Sequence, residues 1–68
     1  MSYRINRDGI HSQIFATDED PSRDEDVFET FRAARGRLLR YLRDGRDRFN
    51  DVIHRIEHTT ERDLHGGK

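Results

Sequence analysis

Across positions 27–56 the large apolar residues recur at steps of three and four: Val27, Phe28, Phe31, Ala34, Leu38, Leu39, Tyr41, Leu42, Phe49, Val52, Ile53 and Ile56. At about 100° per residue they fall within one stripe, and the positions between them are almost all charged. The pattern predicts amphipathic helices over 22–44 and 47–63. Ser22-Arg23-Asp24-Glu25 has the form of a capping box, and Pro21 closes the segment before it, which puts the first helix start at Ser22. Asp44-Gly45-Arg46-Asp47 admits two paths. With Gly45 as a C-terminal cap and Asp47 as the next N-cap, 49–56 folds back on 28–42 as a helical hairpin. With Gly45 inside one long helix, at a cost of about 1 kcal/mol relative to alanine, Leu38, Leu42, Gly45, Phe49, Val52 and Ile56 form a coiled-coil seam. The hairpin is preferred, because compact short elements are the commoner solution.

The N-terminal segment has a different period. Over 3–16 apolar and polar residues alternate about Asp8-Gly9, a strong two-residue turn signal, which predicts a β-hairpin. A turn there pairs Arg7 with Ile10, Ile5 with Ser12 and Tyr3 with Ile14. Tyr3, Ile5, Ile10 and Ile14 then share one face, and Arg4, Asn6, His11, Gln13 and Phe15 share the other. A lone hairpin is marginal in water, so its apolar face must lie on the helices; the competing reading is a flexible arm that orders on binding. The fold class is α+β in one small domain, 1–68, with 64–68 as a disordered tail.

Composition sharpens the picture. Of 68 residues 31% are apolar and 40% charged, so the core is thin, and with no cysteine no disulfide reinforces it. Oligomerisation is the usual remedy, and self-association as a dimer is expected through Phe28, Phe31, Leu38, Leu42, Phe49, Val52 and Ile56. No apolar run reaches a membrane span, and neither a signal-peptide layout nor a thiol site is present, which points to the cytoplasm.

The formal net charge of −1 conceals a division. Positions 18–29 hold seven acids against Arg23, and positions 32–48 hold seven arginines against Asp44 and Asp47. Acids early and arginines late in one helix suit the helix macrodipole, and that is the first explanation of the blocks. Arginine also forms forked contacts with carboxylate and phosphate, so Arg32, Arg35, Arg37, Arg40 and Arg43 are candidate contacts to a protein partner or to the phosphates of a nucleic acid, although the codon habit of a GC-rich genome is the simpler explanation of the arginine bias.

Candidate chemistry is sparse. His54 and His58 stand four apart, a spacing by which a helix presents two imidazoles to zinc, but His-Arg-Ile-Glu-His lacks the glutamate placement of a zinc protease. No glycine-rich phosphate loop or nucleophile elbow occurs, and no cofactor is expected. The reading that follows is a non-enzymatic protein-interaction or regulatory module, ahead of a nucleic-acid binder, with a metal-dependent role last.

Overall fold

The computed structural model describes residues 1–65. It is an α+β fold of three antiparallel strands and two helices, with one further helical turn. The order is β1 (Ser2–Asn6), a 3₁₀ turn at Gly9–His11, β2 (Gln13–Thr17), β3 (Val27–Phe28), α1 (Phe31–Arg43), α2 (Arg46–His58) and α3 (Glu61–Leu64). In the sheet β1 lies between β2 and β3. Alternation along β1 and β2 puts Tyr3, Ile5 and Ile14 inward, where Phe31, Ala34, Leu38, Leu39 and Leu42 of α1 and Val52 and Ile56 of α2 meet them in one core. No helix of the described residues is long and apolar enough to cross a membrane.

The hairpin forms, but its register differs from the Asp8-Gly9 expectation by two residues: Ile5 pairs with Ile14, Tyr3 with Ala16 and Asn6 with Gln13. A shift of two preserves the faces, so the alternation holds. Gly9 has the positive φ that the turn signal requires, but Asp8 does not, at −122°. A longer loop closes instead around buried Ser12, whose hydroxyl accepts from the Asp8 N–H and donates to the Gly9 carbonyl. Ile10 therefore leaves the apolar face and stands 59% exposed.

The first helix does not begin at Ser22. Val27 and Phe28 add a third strand against Arg4 and Tyr3, and the segment before them is held by turns. Both the amide and the hydroxyl of Ser22 donate to Asp20 Oδ1, so the expected capping box is not made. Thr30 is the N-cap, accepting from the Ala33 amide. The reason is packing: residues 22–26 carry no apolar side chain to bury, and Val27 and Phe28, the first of the stripe, are taken by the sheet, so the helix starts at the next apolar residue, Phe31.

The chain is not one continuous helix through Gly45. α1 ends at Arg43, and the cap position belongs to Asp44 with helical dihedrals. Gly45 has φ −115° and precedes α2 without a side-chain cap, so Asp47 is not the N-cap. What Gly45 supplies is space, since a Cβ there would lie 2.7 Å from Cε2 of Phe49. The second helix stops at His58, earlier than the expected 63; Thr59 is extended, and Thr60 and Asp63 form a reciprocal capping box that starts α3. Leu64, assigned to the tail by its sequence, packs against the core, and the Tyr3 hydroxyl donates to Glu61 Oε2 at 2.7 Å. The remainder of the expected tail, 66–68, lies outside the described residues.

Candidate functional site

Helix α1, Phe-Arg-Ala-Ala-Arg-Gly-Arg-Leu-Leu-Arg-Tyr-Leu-Arg, contains five arginines and no acid. Its buried side is fixed by Phe31, Ala34, Leu38, Leu39 and Leu42. Helical spacing then sends Arg32, Ala33, Gly36, Arg37, Arg40 and Arg43 to the outer side, and all six are exposed. Two of the five arginines have partners within the chain. Arg43 donates to Glu57 Oε2 on α2 at 2.9 Å, and the Arg35 guanidinium lies over the Phe31 ring, 5.4 Å from its centroid. Arg32, Arg37 and Arg40 make no ion pair among the described residues.

The acidic segment does not compensate them. Glu19 and Asp24 pair with Arg4, Asp26 and the distant Glu25 with Arg7, and Asp20 with Arg23. Four of the seven acids of the block thus face Arg4 and Arg7, and the macrodipole explanation of the two charge blocks is corrected: all seven acids precede the helix, which starts at Phe31. Asp20 titrates below the ordinary carboxylate range because the backbone amide of Ser22, and then its hydroxyl, donate to it. The Tyr3 phenol titrates above its ordinary value, chiefly because its O–H donates to the Glu61 carboxylate, with burial adding to the effect.

On the outer side of α1, Phe28, Thr30, Arg32, Ala33, Gly36, Arg37 and Arg40 line a shallow groove of about 580 Å³. The lining combines half-buried Phe28 and the small residues Ala33 and Gly36 with Arg32, Arg37 and Arg40. A Cβ at Gly36 would meet nothing within 4 Å, so no neighbour inside the chain requires glycine there.

The remaining expected site residues fall elsewhere. Phe31, Leu38, Leu42, Val52 and Ile56 come together in the core of a single copy, and Leu38 and Leu42 have no exposed surface for a second chain to cover. Phe28 and Phe49 are the half-buried members of that set. His54 and His58 are exposed with ring centroids 4.4 Å apart, and among the described residues no third His, Cys, Asp or Glu joins them in a metal-sized group. Sequence reasoning missed β3, the Thr30 cap and Phe28's place in the groove. The signal was a β-branched and aromatic pair, Val27-Phe28, set just before a Thr that opens the apolar stripe.

Fold and site together define a small α+β domain with an uncompensated basic helix face. Comparison with family models, with curated proteins and with solved structures finds no significant match to this chain.

Proposed function

We propose that the protein is a small, non-enzymatic interaction module of the cytoplasm. In this reading it is dimeric, with α1 and α2 arranged as a helical hairpin over the sheet, and it binds an acidic polypeptide segment along the outer side of α1. The observation that carries the reading is the isolation of Arg32, Arg37 and Arg40. Like charges three or four apart destabilise a helix by about 0.2–0.5 kcal/mol per pair, and α1 holds three such steps, 32–35, 37–40 and 40–43, without one intervening acid. Gly36 adds its own cost of about 1 kcal/mol relative to alanine. A helix so composed gives up stability on the face it shows to solvent, which is where binding residues break local rules.

An acidic polypeptide fits this face better than a nucleic acid does. Three arginines beside apolar and small residues suit carboxylates flanking one apolar side chain. Phosphate tracking calls for a longer basic stripe than three free arginines in a chain of net charge −1. The dimeric part of the reading is supported by the thin core, with 31% apolar residues.

The test is fluorescence anisotropy with two probes, a labelled Glu-rich peptide carrying a central leucine and a labelled DNA duplex. The peptide is expected to bind, and Arg37→Ala/Arg40→Ala to weaken it by about 5- to 30-fold, the equivalent of about 1–2 kcal/mol. Preference for the duplex, with affinity falling steeply as salt rises, would replace this reading with the nucleic-acid one.

A further inference from the structure

The two edges of the sheet are unlike. At one edge β3 is two residues long and is flanked by the Arg4 and Arg7 ion pairs with Asp24 and Asp26. Short edge strands and charged flanks are the usual protection against pairing with another chain. The other edge, β2, is Gln-Ile-Phe-Ala-Thr: five residues with no charge, no proline and no bulge, in a chain whose composition is 40% charged.

Helix α3 lies against β2, but the outward hydrogen-bonding groups of the strand make no bond among the described residues. The Ile5 N–H donates to the Asp26 carbonyl on the β3 side, so Ile5 and its partner Ile14 form a non-hydrogen-bonded pair in the β1–β2 ladder. Ile14, and Ala16 two residues on, therefore turn their N–H and C=O groups outward. β2 pairs with β1 alone, and no other hydrogen bond reaches these groups among the described residues. Between them Phe15 points to the solvent face of the sheet and is 39% exposed.

We propose that β2 is a self-association edge, pairing antiparallel with β2 of a second copy about a two-fold axis at Phe15, to give one continuous six-stranded sheet. In that register Ile14 of each copy faces Ala16 of the other and they exchange both backbone hydrogen bonds. The two Phe15 rings meet across the axis in a non-hydrogen-bonded pair, the closer kind of cross-strand contact. The ladder ends at the Ile14–Ala16 pairs, because the Ser12 N–H already donates to the Gly9 carbonyl, but the same register carries Asp18, which has no ion pair within the chain among the described residues, past Ser12 of the second copy. The Ser12 carbonyl already holds the Arg55 guanidinium at 2.7 Å, so the register sets carboxylate beside guanidinium at both ends of the interface. Association closes at two copies because each β3 edge is protected. The proposal rests on the dimeric half of the preceding section and makes no use of the arginine face.

Sedimentation of the full chain at micromolar concentration decides it. The native chain is expected to sediment at twice the chain mass. Phe15→Lys and Phe15→Glu, each alone, are expected to be monomers with unchanged circular dichroism, since either sets like charges across the axis, and mixing the two is expected to restore a dimer. Ala16→Pro, which removes an outward donor and leaves the β1 ladder intact, is expected to be monomeric as well. A native chain that sediments as a monomer, or a dimer that survives both charged substitutions, would overturn the proposal. Either outcome leaves the peptide-binding assay untouched, so failure of the edge and failure of the arginine face are read separately.

Discussion

At Gly36 no neighbour within the chain demands glycine, which sets it apart from Gly45. Gly36 lies in the middle of α1 with open space where a side chain would be. Gly36→Ala is therefore expected to stabilise the fold by about 0.5–1 kcal/mol, seen as a raised thermal midpoint, and at the same time to weaken the Glu-rich peptide by narrowing the groove. Gly45 is the opposite case. Alanine there must displace the Phe49 ring, and Gly45→Ala is expected to lower stability by about 1–3 kcal/mol, as overpacking does, measurable in a urea titration. Leu38, with no exposed surface, should lose about 2–5 kcal/mol on Leu38→Ala. Tyr3 gives a pH signature. Its folded pKa is raised, so the stability it confers is whole below the ordinary tyrosine value and is lost as pH rises through the folded one. Urea titrations of native and Tyr3→Phe chains should differ in slope against pH only in the alkaline range, and equal slopes there would remove the Tyr3–Glu61 bond from the account.

Among the elements, packing sets where α1 starts and the Thr30 side chain caps it there. Thr30→Ala is expected to cost about 1 kcal/mol, whereas Ser22→Ala, outside any helix, is expected to leave stability within about 0.5 kcal/mol of native; chemical denaturation of the two variants checks the assignment. The comparison also shows what was legible in the chain. The alternation over 3–16 and the three-and-four spacing over 27–56 are direct consequences of which faces are buried, and they give the hairpin, both helices and most of the core. Ser22-Arg23-Asp24-Glu25 misled because a capping box is a local pattern, and the first apolar residues after it, Val27 and Phe28, are drawn into the sheet as β3 instead of opening a helix. β3 was hidden because two residues carry no period. The arginine candidates were visible as a block. Their division into Arg43 on Glu57, Arg35 on Phe31, and an unpaired Arg32, Arg37 and Arg40 depends on neighbours brought near by folding, and no spacing rule contains it.

At the scale of the whole molecule, the expectation that the apolar stripe must be covered by another chain meets a sheet that covers most of it. Tyr3, Ile5 and Ile14 lie against Phe31, Leu38 and Leu42, and Val52 and Ile56 join the same core. What remains unspent is charge on one side and a strand edge on the other. Glu19, Asp24 and Asp26 pair with Arg4 and Arg7 rather than with the arginines of α1, so Arg32, Arg37 and Arg40 keep their charge although the chain as a whole is nearly neutral. Long-range attraction of an acidic partner to that face should weaken as ionic strength rises, since screening acts over about 8–10 Å at physiological salt.

The proposed role of the outer side of α1 is to recognise carboxylates. An amide nitrogen–proton correlation spectrum of the isotope-labelled chain, titrated with the Glu-rich peptide, tests it directly. The account predicts progressive shifts at Phe28, Ala33, Gly36, Arg37 and Arg40, with the Gly36 amide the most responsive and the β2 amides still. Absence of shifts at saturating peptide, or shifts confined to the sheet and α2, would contradict it.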